Sequence, residues 1–167
     1  MRAPQPGDGW VDCSCGGRHW GLHGAAGLLL VRSGDGDVHV VMQHRATWSD
    51  AGGTWGIPGG ALGPHEDVVG GALREAAEEA GIDPAAVEVV TTRPVHHGTW
   101  SSTTVVARAT GPHEPRPTDA ESIAVTWIRL QDVGGLPLHP GFALAWPALR
   151  ALVESLDGDR SPNRPAT

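Results

Sequence analysis

The chain has 167 residues, a formal net charge of −7 and 40% hydrophobic residues, which suits one domain with a core of ordinary size. The negative balance argues against a general nucleic-acid coat, whose phosphate contacts demand a basic surface. No apolar run approaches the ~18 residues that a membrane span needs.

All 12 basic residues are Arg, so any side-chain cation on a phosphate must grip it through a bidentate guanidinium fork. The start, MRAPQPGDGW, lacks the charged and apolar regions of a signal peptide, and the expected compartment is the cytoplasm. Residues 1–9 are rich in Pro and Gly and read as a frayed tail. Residues 10–24, WVDCSCGGRHWGLHG, carry Cys13, Cys15, His19 and His23, ligand types suited to Zn2+. Their spacing departs from that of standard zinc ribbons and fingers. The competing reading is a small turn that packs Trp10 and Trp20 against a sheet. These are the only two cysteines, and one intervening residue does not make a disulfide framework.

GAAGLLLV (24–31) and VHVVMQH (38–44), separated by SGDGD, predict a hairpin with a loop longer than the tightest type. Arg45 ends its second strand. WGIPGG (55–60) predicts a short strand broken by Pro58. A helix follows from about Pro64 to Ala80, with Glu66 and Asp67 at its positive end and Gly81 as its left-handed cap. Further strands are expected over 87–92, 103–109 and 122–130, where Val and Thr favour extended backbone. A second helix is expected over 142–156, broken or started by Pro147. Residues 157–167 read as a polar tail. The division is therefore an extension over 1–24, a folded domain over 25–156 and the tail. Strands around two helices in mixed order predict an α/β or α+β sandwich with a mixed sheet.

Wound at about 100° per residue, the first helix puts Val69, Ala72, Leu73, Ala76, Ala77 and Ala80 on one apolar face. Glu75, Glu78 and Glu79 fall on a strip beside it, with Arg74 as the nearby opposite charge. Like charges at this spacing repel by a few tenths of a kcal/mol each. A divalent cation turns that repulsion into coordination, and hard oxygen ligands suit Mg2+. Gly70 and Gly71 each cost roughly 1 kcal/mol in a helix interior, which points to a close approach there. Trp48, Trp100 and Trp146 are candidates for stacking on a base, and His96 and His97 for lining a pocket.

The longer pattern is more specific. Gly60, Glu66 and then Arg74-Glu75-Ala76-Ala77-Glu78-Glu79-Ala80-Gly81-Ile82 resemble the Nudix box throughout residues 60–82. A chance match at a given start is on the order of 10⁻⁹ at average residue usage. Ala76 is the departure, since a larger aliphatic residue is usual there. The WGIPGG strand, the hairpin ending in QHRA and the ESIAVTW strand extend the resemblance over roughly 25–130.

The resemblance implies an α/β/α sandwich and hydrolysis of a phosphoanhydride in a nucleoside diphosphate derivative with Mg2+ or Mn2+. It implies Glu78 and Glu79 as metal ligands, Glu75 as a third ligand or the general base, and a ligand from the Gly60 carbonyl. It also implies that Arg74 orients Glu75 and that Glu66 supports the helix start. Glu121 is expected as a further ligand or base from a loop. Arg45, Gly59 and Gly60 are expected to contact the substrate. There is no Tyr to mark a dinucleoside polyphosphate hydrolase, Pro94 stands too near the box for an ADP-ribose marker, and the NADH pyrophosphatase motif is absent. The expected substrate is then a nucleoside triphosphate, an oxidised one being among the candidates. The alternatives are an ADP-ribose or nucleotide-sugar pyrophosphatase and a nucleotide-sensing domain without turnover. Pairing as a homodimer is common among such proteins.

Overall fold

In the computed structural model, residues 4–34 and 36–158 are described. Among these residues, nine strands and two helices run in the order β1 (Trp10–Asp12), β2 (Arg18–Trp20), β3 (Ala25–Gly34), β4 (Asp37–Arg45), β5 (Trp55–Gly56), β6 (Gly59–Ala61), α1 (Val68–Ala80), β7 (Val87–His97), β8 (Trp100–Ala109), β9 (Ser122–Arg129) and α2 (Pro140–Gly158). Short 3-10 turns at Pro84–Ala86 and Leu130–Gly135 precede β7 and α2. Among the described residues, no helix is long and apolar enough to cross a membrane.

The main sheet runs β5-β4-β3-β8-β7, with β6 also paired to β3 and β9 to β4. β3 and β8 are parallel while the other pairings are antiparallel, so the sheet is mixed as expected. Alternation along the central strands sorts their side chains to the two faces. Leu28, Leu30, Val41, Val105 and Ala107 meet Ala72, Ala76 and Ala80 of α1 on one face. Leu29, Val31, Val40, Met42 and Val106 meet Phe142, Trp146, Leu149 and Val153 of α2 on the other. Over residues 28–31 of β3 and 105–107 of β8 both faces are buried, which explains the unbroken apolar runs LLLV and VVA.

Several boundaries differ from the sequence expectation. Gly34 pairs with Asp37, leaving two residues in the hairpin connection, so the turn is tighter than its polar run suggested; Asp35 lies outside the described residues. The first helix begins at Val68, with the Asp67 side chain accepting from the Val69 and Gly70 amides. This cap satisfies amides that have no partner within the helix, so Pro64 and Glu66 stand before the helix. In α2, Pro147 neither breaks nor starts the helix. Pro147 and Ala143 are both exposed, so water can hydrate the carbonyl that proline leaves without a helical donor.

The N-terminus is less frayed than expected. Gly21 donates to the Gly9 carbonyl at 2.7 Å and Leu22 to the Gly7 carbonyl at 2.9 Å. Gly7 packs so closely that an added Cβ would stand 2.0 Å from the Leu62 carbonyl oxygen. Trp10 and Trp20 pair across β1 and β2 edge to face, 5.4 Å apart. They pack on each other and stay over two-fifths exposed instead of entering the core. The expected tail over 157–167 falls mostly outside the described residues; Asp157 and Gly158 close α2.

Candidate active site

The acidic strip of α1 is turned inward. Its buried residues are Gly71, Ala72, Glu75, Ala76, Glu79 and Ala80, so the buried face is rotated by roughly 80° from the purely apolar arc. Glu75 is 1% exposed and Glu79 4%, whereas the Glu78 side chain keeps 35% of its surface. Burying two carboxylates is costly unless each gains partners, and the surrounding network supplies them.

Arg74 is the centre of that network. Its Nη1 donates to Glu75 Oε1 at 2.7 Å and stands 3.5 Å from Glu78 Oε2. Its Nε and Nη2 donate to the two oxygens of Glu66 at 2.8 Å each, and Nη2 also reaches the Ala61 carbonyl. Glu66 in turn accepts from the Gly63 amide at 2.9 Å. The guanidinium beside it, with that amide, holds the Glu66 carboxyl below its ordinary range. Arg74 stands one turn before Glu78, so the strip is not left to repel itself.

Two glycines of β6 allow close approaches here, Gly60 to a carboxylate and Gly59 to the β3 backbone. An added Cβ at Gly60 would come 2.7 Å from the Glu75 carboxyl carbon, closer than such atoms approach. At Gly59 the same atom would meet the Gly27 Cα of β3 at 2.5 Å, and its amide donates to Glu79 Oε2 at 3.1 Å. The close approach expected at the helix glycines is also real for Gly71, where a Cβ would strike Leu62. Gly70 instead lies beside the capping Asp67.

Glu79 is the most perturbed acid. Burial, reinforced by the charges of Glu75, Asp119 and Glu121, pushes its carboxyl up to about 8. A carboxylate oxygen from each of Glu79, Asp119 and Glu121 lies within 4.8 Å of the other two. The chain reaches this crowding through the end of α1, whose last carbonyls lack helical donors. The Arg116 amide donates to Ala80, the Thr118 amide to Glu79 and the Thr118 hydroxyl to Glu78. These bonds pin the loop before β9 against the helix end and set Asp119 and Glu121 beside Glu79. Glu121 donates its own amide to Asp119 Oδ1 at 3.0 Å, and its carbonyl accepts from Ala46 at the end of β4.

Two buried oxygens here, Asp119 Oδ2 and Gln43 Oε1, have no hydrogen-bond partner. Buried polar atoms are normally satisfied, so an acceptor-rich site with two such oxygens fits a divalent cation with hard oxygen preferences. Gln43 belongs to the same group, since its Nε2 donates to Ser122 Oγ at 2.7 Å and to Glu79 Oε2 at 3.3 Å.

The structure thus brings Glu75, Glu79, Glu121, Gly59 and Gly60 together and ties Glu78 to them through Arg74. Asp119 and Gln43 were missed. A second acid two residues before Glu121, and a lone amide in the apolar run VVMQ, were the available signals. Arg45 directs its Nε to the Asp50 carbonyl at 3.0 Å and so lies along the loop after β4. Trp146 is buried in the core under α2 and is not placed to stack on a ligand. Trp100 is also committed elsewhere: its Nε1 donates to the Gly21 carbonyl and its ring stacks on His19 at 4.4 Å. His97 joins that N-terminal group. Trp48 is 64% exposed and remains accessible.

Known proteins resemble this chain in sequence and fold. Residues 21–152 match the NUDIX domain family. A Bifidobacterium longum protein described as a nucleoside triphosphate pyrophosphatase/Nudix hydrolase fusion is 49% identical over 157 residues, 91% of this chain. The match spans 33% of that protein, so the chain corresponds to a third of the fusion. A Mycobacterium tuberculosis protein named "Putative 8-oxo-dGTP diphosphatase 3" is 46% identical over 151 residues, covering 86% of this chain and 69% of that protein. The crystal structure of RenU, a Nudix hydrolase from M. smegmatis, superposes with a TM-score of 0.82 at 41% identity, covering 95% of this chain and all of that one. With the 60–82 box folded into a carboxylate-lined helix against a mixed sheet, and the family match spanning most of its length, the chain belongs to the NUDIX family.

Proposed function

We propose that this chain hydrolyses a phosphoanhydride bond of a nucleoside triphosphate, an oxidised purine nucleotide being the favoured substrate, with Mg2+ or Mn2+ bound among its carboxylates. The observation that carries the reading is the convergence of Glu79, Asp119 and Glu121 within 4.8 Å, next to Glu75, whose carboxyl occupies the space left by Gly60. The M. tuberculosis relative's name supports the choice of nucleotide.

Glu79, Asp119 and Glu121 would hold the ion, with Glu78 and the Gly60 carbonyl available to the same group. When bound, a divalent ion supplies the positive charge that lets water approach a phosphorus ringed by negative oxygens. Arg74 fixes Glu75 by direct ion pairing, so that carboxylate contributes a constant field and little movement. Glu121 is less deeply buried than Glu75; one of its oxygens faces Glu79 and Asp119, and the other would be the acceptor for the proton of the attacking water. The water oxygen bonds to phosphorus, the anhydride P–O bond breaks, and the leaving phosphate carries away the bonding pair. Catalysis of this type rests mainly on positioning and electrostatics. Two free thiols fit a reducing cytoplasm as the place of action.

The test is release of phosphate or pyrophosphate from nucleoside triphosphates, oxidised purine triphosphates, nucleotide sugars, ADP-ribose and dinucleotides, with and without Mg2+. Metal-dependent turnover of triphosphates above the other classes is expected. Turnover confined to ADP-ribose or nucleotide sugars would reject the substrate choice. Binding without any turnover would reject the catalytic reading.

A further inference from the structure

A second cluster of metal-ligating side chains lies well away in sequence from the acidic site. Cys13 follows β1 and is buried, Cys15 sits exposed in the next turn, and His19 lies in β2. The turn is held by the Cys13 amide donating to the Gly17 carbonyl and the Gly16 amide donating to the Cys13 carbonyl, both at 2.9 Å. That geometry folds Cys15 back toward His19, with 3.1 Å between Cys15 Sγ and His19 Nε2. Both sulfurs and a His19 ring nitrogen lie within 4.8 Å of one another. Neither His23, which shared the sequence cluster, nor His97 is among them, but the His97 ring, unlike His23, lies against that of His19.

We propose that Cys13, Cys15 and His19 form a zinc site, with the His97 side chain as its fourth ligand. Tetrahedral zinc, at about 2.3 Å from sulfur and about 2.0–2.1 Å from nitrogen, separates its ligands by roughly 3.4–3.8 Å. The three groups therefore need shifts of about an ångström to close around the ion. The His97 ring is centred 4.9 Å from that of His19 at the end of β7. The Cys13 thiol donates to the His97 carbonyl at 2.5 Å, so the same residue already borders the cluster. Binding replaces the two thiol protons, which pass to solvent, with the metal. Two sulfurs and two imidazoles select zinc over the hard cations that suit the acidic site.

The consequence is structural. The β1–β2 hairpin meets the β7–β8 turn through the Cys13 thiol on the His97 carbonyl, the Thr99 amide on Ser14 Oγ at 3.2 Å, a close approach of Gly98 to Ser14, and the His19 ring against His97 and Trp100. The hairpin also borders β6, since a Cβ at Gly21 would stand 3.4 Å from the Ala61 Cα. A zinc ion would clamp the hairpin to the turn beside the strand that enters the acidic helix.

The experiment uses the full chain, expressed without a histidine tag and purified without chelator. Elemental analysis should find about one zinc per chain, and Co2+ substitution should give thiolate charge-transfer bands. Cys15→Ser, at an exposed position and with circular dichroism verifying the fold, should lose the metal. His97→Ala should weaken zinc binding at least tenfold. Removing zinc from the wild type should speed amide exchange at residues 10–20 and 97–100. Retention of full zinc by Cys15→Ser, absence of zinc and of Co2+ bands after metal is added, or a Cys13–Cys15 disulfide in the isolated protein would each overturn the site. Unchanged affinity in His97→Ala would remove that residue from the coordination shell.

Discussion

Replacing Glu79 by Gln should stabilise the metal-free protein while abolishing turnover. In the native state, burial and the charges of Glu75, Asp119 and Glu121 raise the Glu79 carboxyl to about 8 from an ordinary value of 4.5. An acid raised by folding is protonated in the native state and ionised in the unfolded one between those values. The unfolded chain then binds fewer protons, and stability is lost as pH rises through that window. Each pH unit is about 1.4 kcal/mol, so at pH 7 the penalty reaches at most about 3 kcal/mol, and at pH 5 less than about 1 kcal/mol. Gln has the shape of the protonated acid and carries no such penalty. Its amide also brings donors close to Gln43 Oε1 and Asp119 Oδ2, the two oxygens without partners. Urea unfolding with chelator present, at pH 5 and pH 7, measures the difference. The variant should be the more stable at pH 7, with the gap shrinking at pH 5. With Mg2+ added at pH 7, the wild type should recover most of the gap, since a cation stabilises the ionised form. A variant less stable than wild type at pH 7, or a gap that does not change with pH, would refute the claim that Glu79 is held against its charge.

Arg74→Ala withdraws one guanidinium from Glu66 and from the buried Glu75 together; breaking such a buried pair costs about 3–5 kcal/mol, measurable by denaturant unfolding. Because Arg74 and the Gly63 amide hold the Glu66 carboxyl below its ordinary range, that pair contributes stability that is present above the unfolded value and lost as pH falls through the folded one. The Arg74→Ala variant should therefore show a flatter acid limb in stability than the wild type. Gly60→Ala should destabilise the fold by about 1–3 kcal/mol through overpacking, because the new methyl would collide with the Glu75 carboxylate. It should also lower turnover more than Gly34→Ala, where an added Cβ meets nothing within 4 Å. Glu121→Gln should lower turnover by about 10²–10⁴-fold if that carboxylate takes the proton, read by the phosphate-release assay at saturating Mg2+.

The 60–82 spacing settled much by itself. A helix of 3.6 residues per turn must place residues 75, 78 and 79 on neighbouring lines of its surface. Gly81 supplies the left-handed cap, at φ 65°, that ends it. The hairpin, the mixed order of strands and the two helices were likewise legible, since each rests on periodicity within a short window. Local rules served less well at the N-cap, where Asp67 outcompeted Pro64 by satisfying two amides. In α2, solvent on one side let Pro147 stand inside the helix.

Which carboxylates would be buried was beyond any local pattern. Helical geometry puts Glu75 and Glu79 beside the apolar arc, but their burial depends on Gly59 and Gly60 from β6 and on Arg74 bridging back to Glu66. Asp119 is forty residues from Glu79 and arrives only because the unpaired carbonyls at the end of α1 capture the Arg116 and Thr118 amides. The tryptophans divide for the same reason: Trp146 is core because α2 covers the sheet, while Trp10 stays at the surface on a two-stranded hairpin with too little around it to bury a ring. Spacing along the chain fixes which groups share a helix face. Contacts between distant segments decide which of those groups lose water, gain partners and become a site.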